Sequence, residues 1–130
     1  IVTQEEYSAI EWVKKNTRER DVFVTDIFGG ELIMGNTLRE GTEGGDWAII
    51  PDVVQRMSDV QYKFYEAKDS REAWETARKY GAKYAWVPER QVFPGFAWKQ
   101  VDSSKFDDEQ YFKLVYDEGV KIYEVRQKIV

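Results

Sequence analysis

The chain has 130 residues, of which 42% are hydrophobic and 15% aromatic, so a single domain can bury a core without disulfide bonds. It contains no histidine and no cysteine, which excludes histidine general bases, cysteine nucleophiles, zinc knuckles and iron–sulfur clusters. Its net charge of −5, from 24 acidic and 19 basic residues, argues against a nucleic-acid partner, because binding to phosphates needs a dense basic face.

The start of the chain predicts a helix, a strand and a turn. Thr3 and Glu6 have the spacing of a capping box, which places the start of a helix over residues 4–16. Because this helix starts so close to the first residue, we expect the chain to be one domain cut from a longer protein; a processed mature chain is the alternative. Residues 21–25 are rich in β-branched and aromatic side chains and predict a buried strand, followed by a turn over residues 26–30.

The middle of the chain predicts a loop and two helices. Residues 39–46 hold three glycines and four charged residues and are predicted as a loop. A helix with an apolar stripe is predicted over residues 51–59, whereas residues 62–65 stay ambiguous between a short strand and an extended linker. Another helix is predicted over residues 69–81, with an aspartate or serine at its start and a glycine at its end.

The order of these elements predicts the fold class. A strand over residues 83–87 follows the last helix, and this crossover makes it parallel to the strand over residues 21–25. Residues 112–116 and 120–125 are joined by a short glycine-containing turn, which predicts a β-hairpin. We therefore expect an α/β fold in one domain over residues 1–130. Its small mixed sheet has two parallel strands plus a C-terminal antiparallel hairpin and is covered by about three helices.

Three polar or flexible residues follow the first predicted strand. Asp26, Gly29 and Gly30 lie at the carboxyl edge of the parallel strands, which is where open α/β sheets bind ligands. Two glycines allow a backbone to approach a phosphate or a sugar, although the pattern is neither a dinucleotide-binding nor a Walker motif. The alternative is a turn that requires positive φ at a glycine. We take these three residues as candidates for ligand binding.

Two loops are long enough to reach the same edge. Glu43, Asp46 and Trp47 place acids beside an indole in a glycine-rich loop, which suits a sugar. The alternative is a loop that is anchored by its tryptophan. Arg90 follows the second parallel strand and suits an anionic ligand or a structural ion pair with Asp26 or Asp46. Trp98 belongs to an aromatic segment that either covers the edge or joins the core. No residue is predicted to be catalytic or to bind a metal.

Three long segments together resemble a known family. They are E-x-x-A-I-E-W-V-K-K-N-T from Glu6, D-S-R-E-A-W-E-T-A-R-K-Y-G-A-K-Y-A-W-V from Asp69 and F-K-L-V-Y-D-E-G-V-K-I-Y-E-V from Phe112. In this order they resemble the extracytoplasmic C-terminal domain of archaeal membrane glycosyltransferases, including the oligosaccharyltransferase catalytic subunit and its GT-C-type relatives. These segments are fold signatures and not catalytic motifs, so the resemblance implies an architecture more strongly than an activity.

One motif of the family is different in this chain. In the oligosaccharyltransferases a W-W-D-Y-G motif follows the first strand and helps to recognise the acceptor sequon. The corresponding residues here are D-I-F-G-G at 26–30, of which only Gly30 matches. The difference argues against transfer to an N-glycosylation sequon, and the resemblance then implies a related transferase of lipid-linked sugars with another acceptor.

The resemblance also implies a location and a role. The chain is expected to come from the C-terminus of a polytopic membrane protein and to lie on the extracytoplasmic face of the cell membrane. It would assist placement of the acceptor or lipid-linked sugar, whereas catalytic acids and a divalent cation would belong to the membrane region, with no cofactor in this domain. Its expected partners are its own transmembrane region and a lipid-linked sugar or acceptor polypeptide. The alternative is a non-catalytic binding or scaffolding module of a membrane protein.

Overall fold

Helices and strands alternate along most of the chain. The computed structural model describes residues 2–43 and 52–129, and the elements below belong to these residues. In chain order they are α1 (Gln4–Asn16), β1 (Val22–Val24), α2 (Ile27–Asn36), β2 (Glu40–Gly41), α3 (Val53–Val60), α4 (Ser70–Lys79), β3 (Tyr84–Pro88), β4 (Phe112–Asp117) and β5 (Val120–Val125). A π-helical turn, Gln61–Tyr65, continues α3, and a 3₁₀ turn, Ser103–Asp107, precedes the hairpin.

The five strands form one mixed sheet in the order β2-β1-β3-β5-β4. Strand β1 is parallel to both β2 and β3, whereas β5 is antiparallel to β3 and to β4. The predicted fold class, with its parallel strands and C-terminal hairpin, is therefore confirmed. The structure adds a short third parallel strand, β2, within the segment that was predicted as a loop, and a fourth helix, α2.

Local signals explain where two of the helices begin. At α1 the Thr3 hydroxyl accepts a hydrogen bond from the Glu6 backbone N–H at 3.1 Å, and the Glu6 carboxylate accepts one from the Thr3 backbone N–H at 3.1 Å. This reciprocal capping box confirms the predicted start. At α4 the Asp69 carboxylate caps the Glu72 N–H at 2.9 Å, and Gly81 follows the helix with φ of +70°.

Two short segments differ from their predictions. Residues 26–30 were predicted as a turn, but Asp26 is the N-cap of α2 and the helix continues through both glycines. Residues 62–65 were predicted as a strand or a linker, but they lie in the π-helical turn that extends α3. In both places a tertiary contact outweighs the local preference, because the glycines and the turn pack closely against the sheet and its loops.

The core has two clusters, one on each face of the sheet. Neighbouring strand residues alternate between them: Phe23 and Trp86 belong to the cluster that α1 and α2 cover, whereas Val24 and Ala85 belong to the cluster that α3 and α4 cover. Helices on both faces are the arrangement that parallel strands require. Within the described residues, no helix is long and apolar enough to cross a membrane.

Candidate functional site

The carboxyl ends of the three parallel strands meet at one edge of the sheet. Asp26 follows β1, Glu43 follows β2 and Arg90 follows β3. Because parallel strands share their direction, the loops after them lie side by side. This edge is the candidate site. The burial of each side chain at the edge shows whether it faces the solvent, where a ligand could bind, or the interior.

Asp26 faces the interior and connects α2 to the segment after β3. Its carboxylate accepts hydrogen bonds from the Gly29 N–H at 2.8 Å and from the Phe93 N–H at 3.0 Å, and the residue is only 2% exposed. Burial raises the pKa of Asp26, although the two N–H donors and the Arg90 charge act in the opposite direction. The Asp26 carboxylate therefore links the start of α2 to the segment after β3. The ligand contact predicted for Asp26 stays a prediction.

Glu43 is a second buried acid at this edge, and it begins the loop that the sequence predicts to cover the edge. It is 3% exposed, and neither carboxyl oxygen has a hydrogen-bond partner among the residues that the structure describes. Burial and the charge of Asp26 raise the pKa of Glu43 to about 10, with Arg56 opposing the shift. Glu43 is therefore protonated at neutral pH. The sequence places this residue at the edge but does not predict its burial, because that burial depends on how β2 joins the sheet.

The two glycines in the first turn of α2 serve close packing. A Cβ at Gly29 would lie 2.8 Å from Cδ1 of the Trp86 indole, and a Cβ at Gly30 would overlap the backbone carbonyl oxygen of Glu43. Neither glycine has positive φ, so the turn conformation considered from sequence is not the reason for them. Their observed role is the approach of α2 to β3 and to the end of β2, and ligand binding by Gly29 and Gly30 stays a prediction.

Arg90 pairs with an acid from α1. One terminal guanidinium nitrogen lies 3.0 Å from the buried Glu6 carboxylate, and the guanidinium carbon lies 6.0 Å from the centroid of the Phe28 ring. Among the described residues the ion pair therefore forms with Glu6 and not with Asp26, whereas the predicted contact with Asp46 falls outside the described residues. The guanidinium also borders a concavity of about 460 Å³. Its lining residues are Thr3, Glu5, Glu6, Pro88, Glu89, Arg90, Glu118, Gly119 and Val120.

Trp98 lies on the surface against the first turn of α2. The indole is nearly parallel to the Phe28 ring, with centroids 5.5 Å apart and an angle of 15° between the planes. Phe93 contacts the indole at a steeper angle of 63° and a centroid distance of 5.3 Å. Trp98 nevertheless remains 52% exposed and Phe28 46% exposed. An accessible aromatic surface therefore borders Arg90 at this edge.

A buried glutamine holds the loop that carries Trp98. The Gln61 side-chain oxygen accepts hydrogen bonds from the Phe96 N–H at 2.8 Å and from the Ala97 N–H at 3.2 Å. Its amide nitrogen donates to the Glu66 carboxylate at 2.9 Å, and the residue is 1% exposed. Sequence reasoning missed this anchor, because the π-helical turn that aims Gln61 inward has no recognisable pattern.

The remaining candidates lie outside the described residues. Asp46 and Trp47 belong to the segment between residues 43 and 52, so their predicted part in the site stays a prediction. In residues 2–43 and 52–129, no group of three or more acidic side chains is arranged to hold a metal ion. Of the predicted residues that are described, Asp26, Gly29, Gly30, Arg90 and Trp98 all lie at the same edge, and Arg90 and Trp98 are the ones with exposed side chains.

Replacing Asp26 with alanine should destabilise the fold. The substitution leaves the N–H groups of Gly29 and Phe93 without their acceptor, and both are close to the buried carboxylate. The lost helix cap and the unsatisfied donors together should cost roughly 2–4 kcal/mol in urea unfolding. Asp69→Ala is the matched control, since Asp69 caps α4 at the surface, and it should cost about 1 kcal/mol. Equal losses in the two variants would contradict the bridging role of Asp26.

The chain is an α/β domain with a mixed sheet, helices on both faces of that sheet and two buried acids at its carboxyl edge. This architecture occurs in a solved structure. The chain is similar to the crystal structure of the C-terminal globular domain of the oligosaccharyltransferase AfAglB-S2 from Archaeoglobus fulgidus. The likeness covers 97% of this chain and 99% of that chain, with a TM-score of 0.70 and 19% identity. The chain has the fold of that domain, which confirms the architecture implied by its sequence segments. No protein-family model and no curated protein matches the sequence.

Proposed function

We propose that the chain is the extracytoplasmic domain of a membrane glycosyltransferase that resembles oligosaccharyltransferase. The observation that carries this proposal is the likeness to the C-terminal globular domain of an oligosaccharyltransferase, which extends over 97% of the chain at a TM-score of 0.70. In the proposed protein the domain stands on the outer face of the cell membrane. It assists placement of the acceptor polypeptide or of the lipid-linked sugar at the carboxyl edge of its parallel strands.

The positions of the acids support a placing role over catalysis by this domain alone. Among the described residues, Asp26 and Glu43 are the acids that follow the parallel strands β1 and β2 at this edge, and they are 2% and 3% exposed. A general acid or base must come within hydrogen-bond distance of the reacting group, and these carboxyls are enclosed by protein. We therefore assign the reacting acids and a divalent cation to the membrane region of the proposed protein.

The exposed side chains at the edge support contact with a ligand. Arg90 has donors suited to the phosphate of a lipid-linked sugar, and Trp98 offers an aromatic surface beside it. Asp46 and Trp47, together with Gly29 and Gly30, complete the proposed site. The proposed ligands are thus the saccharide donor or the acceptor polypeptide, held next to the transmembrane region of the same protein.

One observation favours a second function, a binding or scaffolding module of a membrane protein. Only Gly30 matches the acceptor-recognition motif of the oligosaccharyltransferases, and Asp26 at the start of this segment faces the interior. A module of this kind would keep the fold and lose the recognition of an acceptor. It would bind another membrane subunit and show no transfer activity.

A transfer assay on the full-length gene product tests the proposal. The protein is purified in detergent and mixed with lipid-linked saccharides from membranes of the source organism, a peptide mixture and manganese or magnesium. Full-length protein is expected to transfer the saccharide, whereas the isolated 130-residue chain is expected to transfer none. Transfer by the isolated chain, or a gene product without membrane spans, would contradict the proposal. A membrane protein that transfers nothing and copurifies with another subunit would support the scaffolding function.

A further inference from the structure

Two half-exposed aromatic rings stack on each other at the candidate site, and we call this pair the aromatic platform. It consists of Phe28 and Trp98, whose near-parallel rings are 46% and 52% exposed. Large aromatic side chains usually bury most of their surface in a domain of this size. Tyr62 and Phe96 are also stacked and half exposed, so exposure alone does not mark a site. The pair of Phe28 and Trp98 differs because the Arg90 guanidinium lies 6.0 Å from the centroid of the Phe28 ring, and this combination points to a binding surface.

The platform is held rigidly at its base. Phe28 lies in the first turn of α2, which Asp26 caps. The Phe93 backbone is fixed from both sides, because its N–H donates to the Asp26 carboxylate at 3.0 Å and its carbonyl accepts from the Ile27 N–H at 3.2 Å. On the other side of Trp98, Lys99 pairs with Val92 through two backbone hydrogen bonds of 2.8 Å. A surface that is already ordered loses little entropy when it binds a ligand.

Hydrogen-bond donors stand at the rim of the platform. The Arg90 guanidinium lies 6.0 Å from the Phe28 ring centroid and uses one terminal nitrogen for Glu6, which leaves other N–H groups on an exposed side chain. The surface thus combines an aromatic face with donors at its side.

This combination matches the chemistry of a sugar ring. The C–H groups on one face of a pyranose carry partial positive charge and fit the negative face of an aromatic ring. Hydroxyl groups of the pyranose accept hydrogen bonds from donors at the rim of the platform. A guanidinium binds a carboxylate or phosphate through two parallel hydrogen bonds. An anionic bilayer is a poorer match, because the chain carries a net charge of −5.

We propose that the platform of Phe28 and Trp98 is a saccharide subsite, with Trp98 stacking on a pyranose ring and Arg90 binding an acidic group on the saccharide. This inference rests on the proposed function and names a sugar, as opposed to the acceptor peptide, as the ligand of this part of the site.

Binding of two disaccharides to the purified chain tests the inference. Methyl β-cellobioside offers flat C–H faces without charge, and digalacturonate adds carboxylates. Both are titrated by calorimetry, which gives a Kd for every variant, and the Trp98 indole N–H resonance of the wild-type chain is followed by NMR. We expect saturable shifts of this resonance, and Trp98→Ala should raise the Kd for both ligands about tenfold. Tyr7→Ala is the matched control, since Tyr7 is also an exposed aromatic residue, 52% accessible, on α1, and it should leave both Kd values unchanged.

A second variant tests the part assigned to Arg90. Arg90→Lys keeps a cation beside Glu6 and removes the two-point geometry. It should weaken digalacturonate binding about fivefold and methyl β-cellobioside binding much less, because lysine still donates a hydrogen bond to a hydroxyl group but cannot bind a carboxylate at two points. An equal effect on both ligands, or none on either, would overturn this assignment.

The remaining outcomes separate this inference from the proposed function. Absence of saturable binding, Kd values unaffected by Trp98→Ala, or platform shifts caused only by acceptor peptides or by phosphatidylglycerol vesicles would overturn the saccharide subsite. Saccharide binding at Trp98 in a gene product without membrane spans would keep the subsite and refute the transferase. Thermal unfolding of each variant confirms that the compared proteins are folded.

Discussion

Replacing Glu43 with glutamine is expected to stabilise the fold at about pH 8 and to remove much of its dependence on pH. Burial and the Asp26 charge raise the pKa of Glu43 from its ordinary value of 4.5 to about 10. The folded state therefore binds this proton more tightly than the unfolded chain does. The stability associated with the buried neutral carboxyl is fully present below the unfolded pKa, and it is lost progressively as the pH rises from there towards the folded pKa.

The size of the effect follows from the pH interval. Each pH unit between the unfolded and folded pKa values of Glu43 lowers the free energy of unfolding by at most about 1.4 kcal/mol. Ionisation of Glu43 should therefore cost the wild-type protein roughly 3–4 kcal/mol of stability between about pH 5 and pH 8. Glutamine has the shape of the protonated acid and does not ionise. Urea unfolding of wild type and Glu43→Gln at both pH values measures the difference. Glu40→Gln, at an exposed position on β2, is the control, and matching pH profiles for Glu43→Gln and wild type would refute the buried neutral acid.

The second large effect is expected from Gly30→Ala. A methyl group there would overlap the backbone carbonyl oxygen of Glu43 and lie 2.9 Å from the Thr25 hydroxyl oxygen. A backbone atom cannot rotate away as a side chain can, so α2 must move away from the end of β2. We expect a loss on the order of 3 kcal/mol in the free energy of unfolding, at the upper end of what overpacking usually costs.

Gly35 provides the control within the same helix. A Cβ at Gly35 would meet no atom within 4 Å, so Gly35→Ala should gain about 0.5–1 kcal/mol through helix propensity and reduced freedom of the unfolded chain. Both variants are measured by urea unfolding under identical conditions. If Gly30→Ala is as stable as Gly35→Ala, the close approach of α2 to β2 is wrong.

Elements with strong local signals could be predicted from the sequence. The capping box at Thr3 and Glu6 places α1, Asp69 and Gly81 delimit α4, and Gly119, with φ of +84°, fits the hairpin turn. Each of these signals acts within a few residues of the chain. The parallel pairing of β1 with β3 then follows from the handedness and length of the crossover between them.

Features that depend on distant contacts could not be predicted. The glycines at 29 and 30 are typical of a turn, yet they allow α2 to touch Trp86 and Glu43, which lie far along the chain. Strand β2 has only two residues and is recognisable by its pairing with β1 alone. At the candidate site, the order of the strands places Asp26 and Arg90 at one edge, but the partner of Arg90 comes from α1, and no spacing in the sequence relates the two.

The loop that Gln61 anchors can carry different side chains in related proteins and still follow the same path. Gln61 binds the loop through the backbone N–H groups of Phe96 and Ala97, and every residue type except proline supplies such a group. The outward side chains of residues 96–98 can therefore be exchanged while the path of the loop is retained. A single scaffold can thus acquire new recognition chemistry by substitutions that leave its folding energy nearly unchanged.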